Sequence, residues 1–251
     1  MTTTQETLAK VPAVTLVFWV IKILATTLGE TAGDALSMSL DLGYLVSTVI
    51  FFVLFLVAVL VQTAAKRFHT GIYWTTIVAT TTVGTTLADF ADRSLNIGYA
   101  GGSSLILLLL IGTLLLWYST LGTIAVGSVS SRKSEIFYWI TILFSQTLGT
   151  ALGDWVADSL GLGYLSAALV FGSLLALIAL GYALTTLSRT WLFWGAFILT
   201  RPLGAVVGDF LDKPMEAGGL ALSRYSASGV LLALIFVSIL IFPQKPASTS
   251  H

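Results

Sequence analysis

The chain contains no cysteine, which excludes disulfides, thiolate metal sites and cysteine nucleophiles together and leaves the redox compartment open. Charge is scarce as well. Only 10% of the 251 residues are Asp, Glu, Lys or Arg, against about a quarter in ordinary soluble domains, and this excludes a water-soluble globular enzyme. Twelve Lys+Arg balance twelve Asp+Glu, so there is neither a basic field to attract nucleic acid nor the acidic excess of a solvating tail. Histidine is limited to His69 and His251, and the sequence carries no phosphate-cradling glycine loop, Ser-His nucleophile pairing or HExxH-type metal motif.

What remains is 56% apolar, and a lipid bilayer is the solvent that suits it. A helix crossing the hydrocarbon core needs about 20 residues, and the apolar runs divide into eight such spans at approximately 14–35, 44–64, 73–90, 103–127, 137–156, 164–186, 192–211 and 225–242. The expected fold is therefore an all-α polytopic membrane protein, a single integral membrane domain. The polar opening segment MTTTQETLAK is expected to be a cytoplasmic tail, since no cleavage site follows a short apolar core. Lys10, Lys66, Arg67, Arg132, Lys133, Arg189 and Lys245 fall on the side of the N-terminus, against Arg93, Lys213 and Arg224 on the other. By the positive-inside rule both termini are expected to be cytoplasmic, in a bacterial inner membrane.

Internal repetition is the strongest signal. Trp19, Trp74, Trp139 and Trp194 each open one pattern: ten residues later comes Gly29, Gly84, Gly149 or Gly204, and fifteen residues later Asp34, Asp89, Asp154 or Asp209. At twenty-four residues comes a second glycine, Gly43, Gly98, Gly163 or Gly218, followed in three copies by Tyr44, Tyr99 or Tyr164 and in the fourth by Gly219. The copies cover approximately 14–66, 70–129, 135–188 and 190–243. Two spans per copy return the chain to the same side, so these are expected to be parallel repeats, with an inner ring of first helices wrapped by second helices. The tryptophans read as anchors at the membrane interface.

This fourfold Trp, Gly, Asp spacing, with Lys22, Glu30 and Arg201, resembles bacterial membrane-anchored proteins described as four tandem copies of a two-helix repeat of unknown function. The resemblance spans roughly residues 19–243 and implies the fold. It implies no chemistry that can be carried over residue by residue.

Function has to come from the residues. Positions four apart stack on one helical face, and in the first copy Lys22, Thr26, Glu30 and Asp34 form such a stripe; the others hold Thr81, Thr85 and Asp89, then Gln146, Thr150, Asp154 and Asp158, then Arg201, Ala205 and Asp209. A charge facing hydrocarbon costs at least a few kcal/mol, so the stripes are expected to face inward. Each Asp would lie about 22 Å beyond its Trp, at 1.5 Å rise per residue. A structural reading competes: the aspartates could end their helices by accepting bonds from loop amides, with the second glycine supplying a positive-φ turn. Thr26, Thr81 and the first glycines have a packing reading, and Arg201 with Glu30 could be a buried register-fixing pair.

Lys22 and Arg201 as cations against Glu30, Asp34, Asp89, Asp154 and Asp209 leave a formal excess of three negative charges, which calls for protons or a bound cation. Carboxylates and hydroxyls without Cys or intramembrane His suit hard cations. Phe90, Trp155 and Phe210 beside three aspartates would tolerate an organic one. The functional expectation is a small secondary transporter: proton-coupled export of a hard divalent metal or a small organic cation. Its ion-binding residues would be Lys22, Thr26, Glu30, Asp34, Thr81, Asp89, Gln146, Asp154, Arg201 and Asp209, with Glu30 and the four aspartates as metal ligands and Lys22 and Arg201 as competitors for the carboxylates. No cofactor beyond a bound hard cation is implied, and oligomerisation is open. The alternatives are an intramembrane enzyme acting on lipid through Asp154 and Asp158, and a structural or sensory membrane protein.

Overall fold

The computed structural model describes residues 9–95 and 97–247; most of the polar opening segment and His251 lie outside them. It contains eight long helices: α1 (Leu16–Asp34), α2 (Gly43–Ala64), α3 (Thr70–Asp89), α4 (Gly98–Leu121), α5 (Arg132–Asp154), α6 (Tyr164–Leu184), α7 (Arg189–Asp212) and α8 (Arg224–Ile241). Seven are long and apolar enough to cross a membrane. The exception is α3, which is long enough but carries eight threonines. Its hydroxyls return to the helix's own carbonyls, as Thr80 does to Thr76 and Thr82 to Val78, so the backbone absorbs this polarity.

The bounds differ from the apolar runs where caps decide them. Helix α4 covers Gly98–Leu121 instead of 103–127, because Gly122 ends it at φ 73° with its N–H bonded to the Tyr118 carbonyl. Helix α5 begins five residues early, because Ser131 and Ser134 form a reciprocal capping box.

Helices α1, α3, α5 and α7 close into a ring, each packed on two neighbours, while α2 braces α3, α4 braces α5, α6 braces α7 and α8 returns to brace α1. Each second helix thus leans on the first helix of the following repeat. Burial separates the two classes: the most apolar windows of α1, α5 and α7 are 61 to 67% buried, those of α2, α4, α6 and α8 only 11 to 17%. The outer helices show Leu, Val and Phe to the surroundings on almost every side.

The ring is tight because small residues sit at its seams. Gly29 and Gly204 leave no room for a Cβ against Thr81 and Thr26, and Gly149 none against Arg201. At Gly84 a Cβ would lie 2.8 Å from that of Gln146 and 3.0 Å from its carbonyl carbon. Every first glycine of the repeat therefore receives the residue seven past Trp from the next ring helix, a close approach typical of membrane bundles.

At the tryptophan end two short segments, 9–13 and 245–247, pair with each other against the ring. Ala13 N donates to Lys245 O at 2.9 Å and Ala247 N to Val11 O at 2.8 Å, while Lys10 reaches Glu135 of α5 at 2.7 Å. Extra volume at the seams is expected to be costly and extra volume on the outer helices harmless. Gly84→Val should lower the detergent unfolding temperature, overpacking costing about 1–3 kcal/mol, whereas Gly112→Ala, which meets no atom within 4 Å, should leave it unchanged; equal melting curves would contradict the seam geometry.

Candidate functional site

Because a helix repeats its face every four residues or so, the ring interior is a stack of layers, one residue per ring helix, about 6 Å apart. The first layer is aromatic. Phe18, Tyr73, Tyr138 and Phe193 are buried, and the Tyr73 and Tyr138 hydroxyls lie 2.7 Å apart. Around them the repeated tryptophans point inward. Trp74, Trp139 and Trp194 are buried, Trp74 Nε1 donates to Gln244 Oε1 at 2.9 Å, and Trp194 Nε1 donates to Ile124 O at 3.0 Å. Only Trp19 is half-buried. The interface-anchor reading is thus corrected: the indoles are wanted by the aromatic plug and by polar groups of the linking and terminal segments.

The second layer is Lys22, Ile77, Ile142 and Phe197, all fully buried. Lys22 Nζ makes no hydrogen bond and stands 4.2 Å from the centre of the Phe197 ring. Among the described residues it forms no ion pair with a carboxylate, so the expected competition of Lys22 for the acids does not appear there.

Thr26, Thr81, Gln146 and Arg201 form the third layer, again fully buried. Thr26 Oγ1 lies 3.1 Å from Thr200 O and Thr81 Oγ1 3.2 Å from Ala25 O, so these hydroxyls face backbone carbonyls of neighbouring helices. Arg201 sends Nη2 to the fourth layer, where it lies 2.9 Å from Glu30 Oε2, 2.6 Å from Thr85 Oγ1 and 2.5 Å from Thr150 Oγ1. One nitrogen of α7 thereby touches α1, α3 and α5. Pro202 lies inside α7 without ending it.

The four aspartates make the fifth layer, each 3% exposed or less. Asp34, Asp89 and Asp154 are the last α-helical residues of their helices, but the helical path does not stop at them. After Asp34, Asp89 and Asp154 the chain runs on for one wide turn with i to i+5 bonding: Leu40 N to Ala35 O at 3.0 Å, Leu95 N to Phe90 O at 3.0 Å, Leu160 N to Trp155 O at 2.9 Å. In the fourth copy α7 stays regular to Asp212. The second glycines supply the positive-φ turn between the two helices of each copy, with φ of 72°, 73°, 72° and 84° at Gly43, Gly98, Gly163 and Gly218.

One turn beyond the aspartates sit the two cations that complete the site. Arg93 places Nε 3.0 Å from Asp89 Oδ1 and Nη2 3.3 Å from Asp154 Oδ2, flanked by the rings of Tyr44 and Tyr99. Lys213 places Nζ 2.5 Å from Asp34 Oδ2 and 3.0 Å from Asp209 Oδ1. Burial opposes the charge of Lys213, but Asp209, Asp34 and Asp212 outweigh it and its pKa is raised; the ammonium stays charged. Arg224 Nε, 3.1 Å from Asp212, adds a third cation at the rim.

Arg93 and Lys213 correct the charge count: with them the inner groups are four cations against five anions, not two against five. Both occupy the slot four after the aspartate, held by Met38 and Asp158 in the other copies. Spacing alone could have found them, had the stripe been followed one turn further. Asp154 is buried and Asp158 exposed, so the two do not share one buried site. Glu30, Asp34 and Asp209 are brought together: an oxygen of each lies within 4.8 Å of the others. Asp34 Oδ1, Asp89 Oδ2 and Asp154 Oδ1 are buried without a hydrogen-bond partner. This all-oxygen set fits a hard cation.

A family model described as a repeat of unknown function (DUF347) matches the chain four times, at residues 17–68, 72–123, 137–187 and 192–243. No curated protein and no solved structure matches it.

The Arg201–Glu30 pair is expected to behave as a buried ion pair. Glu30→Gln or Arg201→Met alone should cost about 3–5 kcal/mol because each strands a buried charge, and the double substitution should recover much of it. Thermal unfolding of the three variants in detergent reads this directly; strict additivity would show that the two side chains are not coupled.

Proposed function

The chain belongs to this family of repeats of unknown function, and we propose that it is a small secondary transporter that exports a cation, a hard divalent metal or a small organic cation, in exchange for protons. In this reading the protein crosses a bacterial inner membrane eight times as four parallel two-helix repeats, with both termini cytoplasmic. The ring helices line the route, α3 included, and the second helices face lipid.

The carrying observation is the seat of Lys213. Its ammonium is held between Asp34 and Asp209, beside Glu30, where a small cation would be coordinated. A tethered ammonium is a surrogate for cargo: it neutralises the carboxylates when no cargo is there and yields them when a more strongly bound cation arrives. Lys213 is only 13% exposed, on the side away from the aromatic plug. The geometry therefore supports a site closed by a movable charge at one end and by packed rings at the other. Arg93 would serve the Asp89 and Asp154 half in the same manner. Protons returning on the vacated carboxylates would reset the site.

A second reading, a structural membrane protein without turnover, draws on the Arg201 contacts that tie the four ring helices together. A lipid-acting enzyme draws no support from Asp158, which lies apart from the buried acids.

Flux separates these. Proteoliposomes loaded with Mn²⁺, Mg²⁺ or a small alkylammonium should release it when a proton gradient is imposed, and Asp34→Asn or Glu30→Gln should abolish the release while the protein stays monodisperse. Lys213→Met should raise apparent cation affinity about tenfold, the scale of one charge-assisted contact. Absence of flux for every cation favours the structural reading, and flux unaffected by the carboxylate changes sinks the proposal.

A further inference from the structure

Inward of the carboxylates, the second and third layers carry a surplus of donors that transport of a cation does not use. Lys22 Nζ, Gln146 Nε2 and Arg201 Nε and Nη1 are all buried, and none has a hydrogen-bond partner. Lys22, Gln146 and Arg201 are each 0% exposed. A buried donor left unpaired costs about 1–3 kcal/mol, more when charged, so four of them in adjoining layers call for an acceptor.

Their positions are close. Lys22 extends from α1 to stand over Phe197 of α7, and Phe197 lies one helical turn below Arg201 on the same face. Gln146 shares the layer of Arg201, with its root pressed on Gly84 of α3. The charges do not balance there. Two cations face one carboxylate, Glu30, and Glu30 is engaged by Arg201 Nη2 on the far side of the guanidinium from the plug. The face of the Phe197 ring is the nearest partner of Lys22 Nζ, and no acid pairs with it among the described residues.

We infer that Lys22, Gln146 and Arg201 form a binding site for one small monovalent inorganic anion of the halide class. The anion accepts from Lys22 Nζ, Gln146 Nε2 and the unpartnered guanidinium N–H groups, while Gln146 Oε1, also unpartnered, is free to accept from Lys22. It neutralises the second cation and leaves Glu30 to its pair with Arg201. A compact ion suits this place because the flanking side chains, Ile77, Ile142 and Phe197, are themselves fully buried and packed. Such a site is independent of whether the outer carboxylates carry cargo.

Chloride-35 NMR on the detergent-purified full chain tests it. Excess line broadening that saturates with chloride and is displaced by bromide is expected from the wild type. Lys22→Met should weaken it about tenfold or more, the value of a charged hydrogen bond, and Gln146→Leu should weaken it less. Lys213→Met, which alters only the outer seat, should leave it intact. Absence of excess broadening in the wild type overturns the inference, as does broadening that survives Lys22→Met and disappears in Lys213→Met. If Lys22→Met fails to fold, the wild-type saturation and the Gln146→Leu titration decide; failure of cation flux with halide binding retained would strike the transport reading alone.

Discussion

The ring depends on a single guanidinium. Arg201 is fully buried, and removing such a charge from water without partners costs several kcal/mol. The chain meets that demand by bringing Glu30 from α1, Thr85 from α3 and Thr150 from α5 to one nitrogen. Four helices with slippery apolar faces thereby acquire one register. Slide any of them by a turn and a different layer meets Arg201: Thr26, Thr81 or Gln146 from the inward side, or the aspartates from the outward one.

A nearly symmetric backbone carries an asymmetric interior. The glycine seams and positive-φ turns recur in every copy, so the scaffold needs only the shared residues. The chemistry lies in the exceptions. Lys22 and Glu30 occur in one copy, Gln146 in another, Arg201 in the last, and the outer slot holds Met38, Arg93, Asp158 and Lys213. Arg93 serves the second and third aspartates and Lys213 the fourth and first, which divides a fourfold ring into two unlike halves.

Much of this was legible in the amino-acid order, because a four-residue stripe inside an apolar run has few other meanings. The shared layer of Asp34 and its counterparts, the inward face of Glu30 and the positive-φ turn at the second glycines follow from spacing and from the cost of charge in lipid. Three features were hidden for physical reasons. The helical path continues past each aspartate, by a wide turn in three copies and by a regular helix in the fourth, whereas the apolar runs stop near them, so Arg93 and Lys213 passed for loop residues that set orientation. The tryptophans have an amphipathic ring that suits both an interface and a plug, and only packing decides between them. Lys22 was expected to seek an acid; its reach ends instead over the Phe197 ring, in a layer that holds no carboxylate.

The staggered bracing of the ring has a consequence for assembly. Since α2, α4 and α6 each lean forward onto the next repeat and α8 leans back onto α1, no helical hairpin covers its own polar stripe. The first helix to be made waits for the last. The lysine, glutamate and aspartate of α1 face the ring, which closes only when α7 has been made, and the other side of α1 stays bare until α8 follows. The order of synthesis therefore leaves the charged interior of the ring as the last part to be sealed.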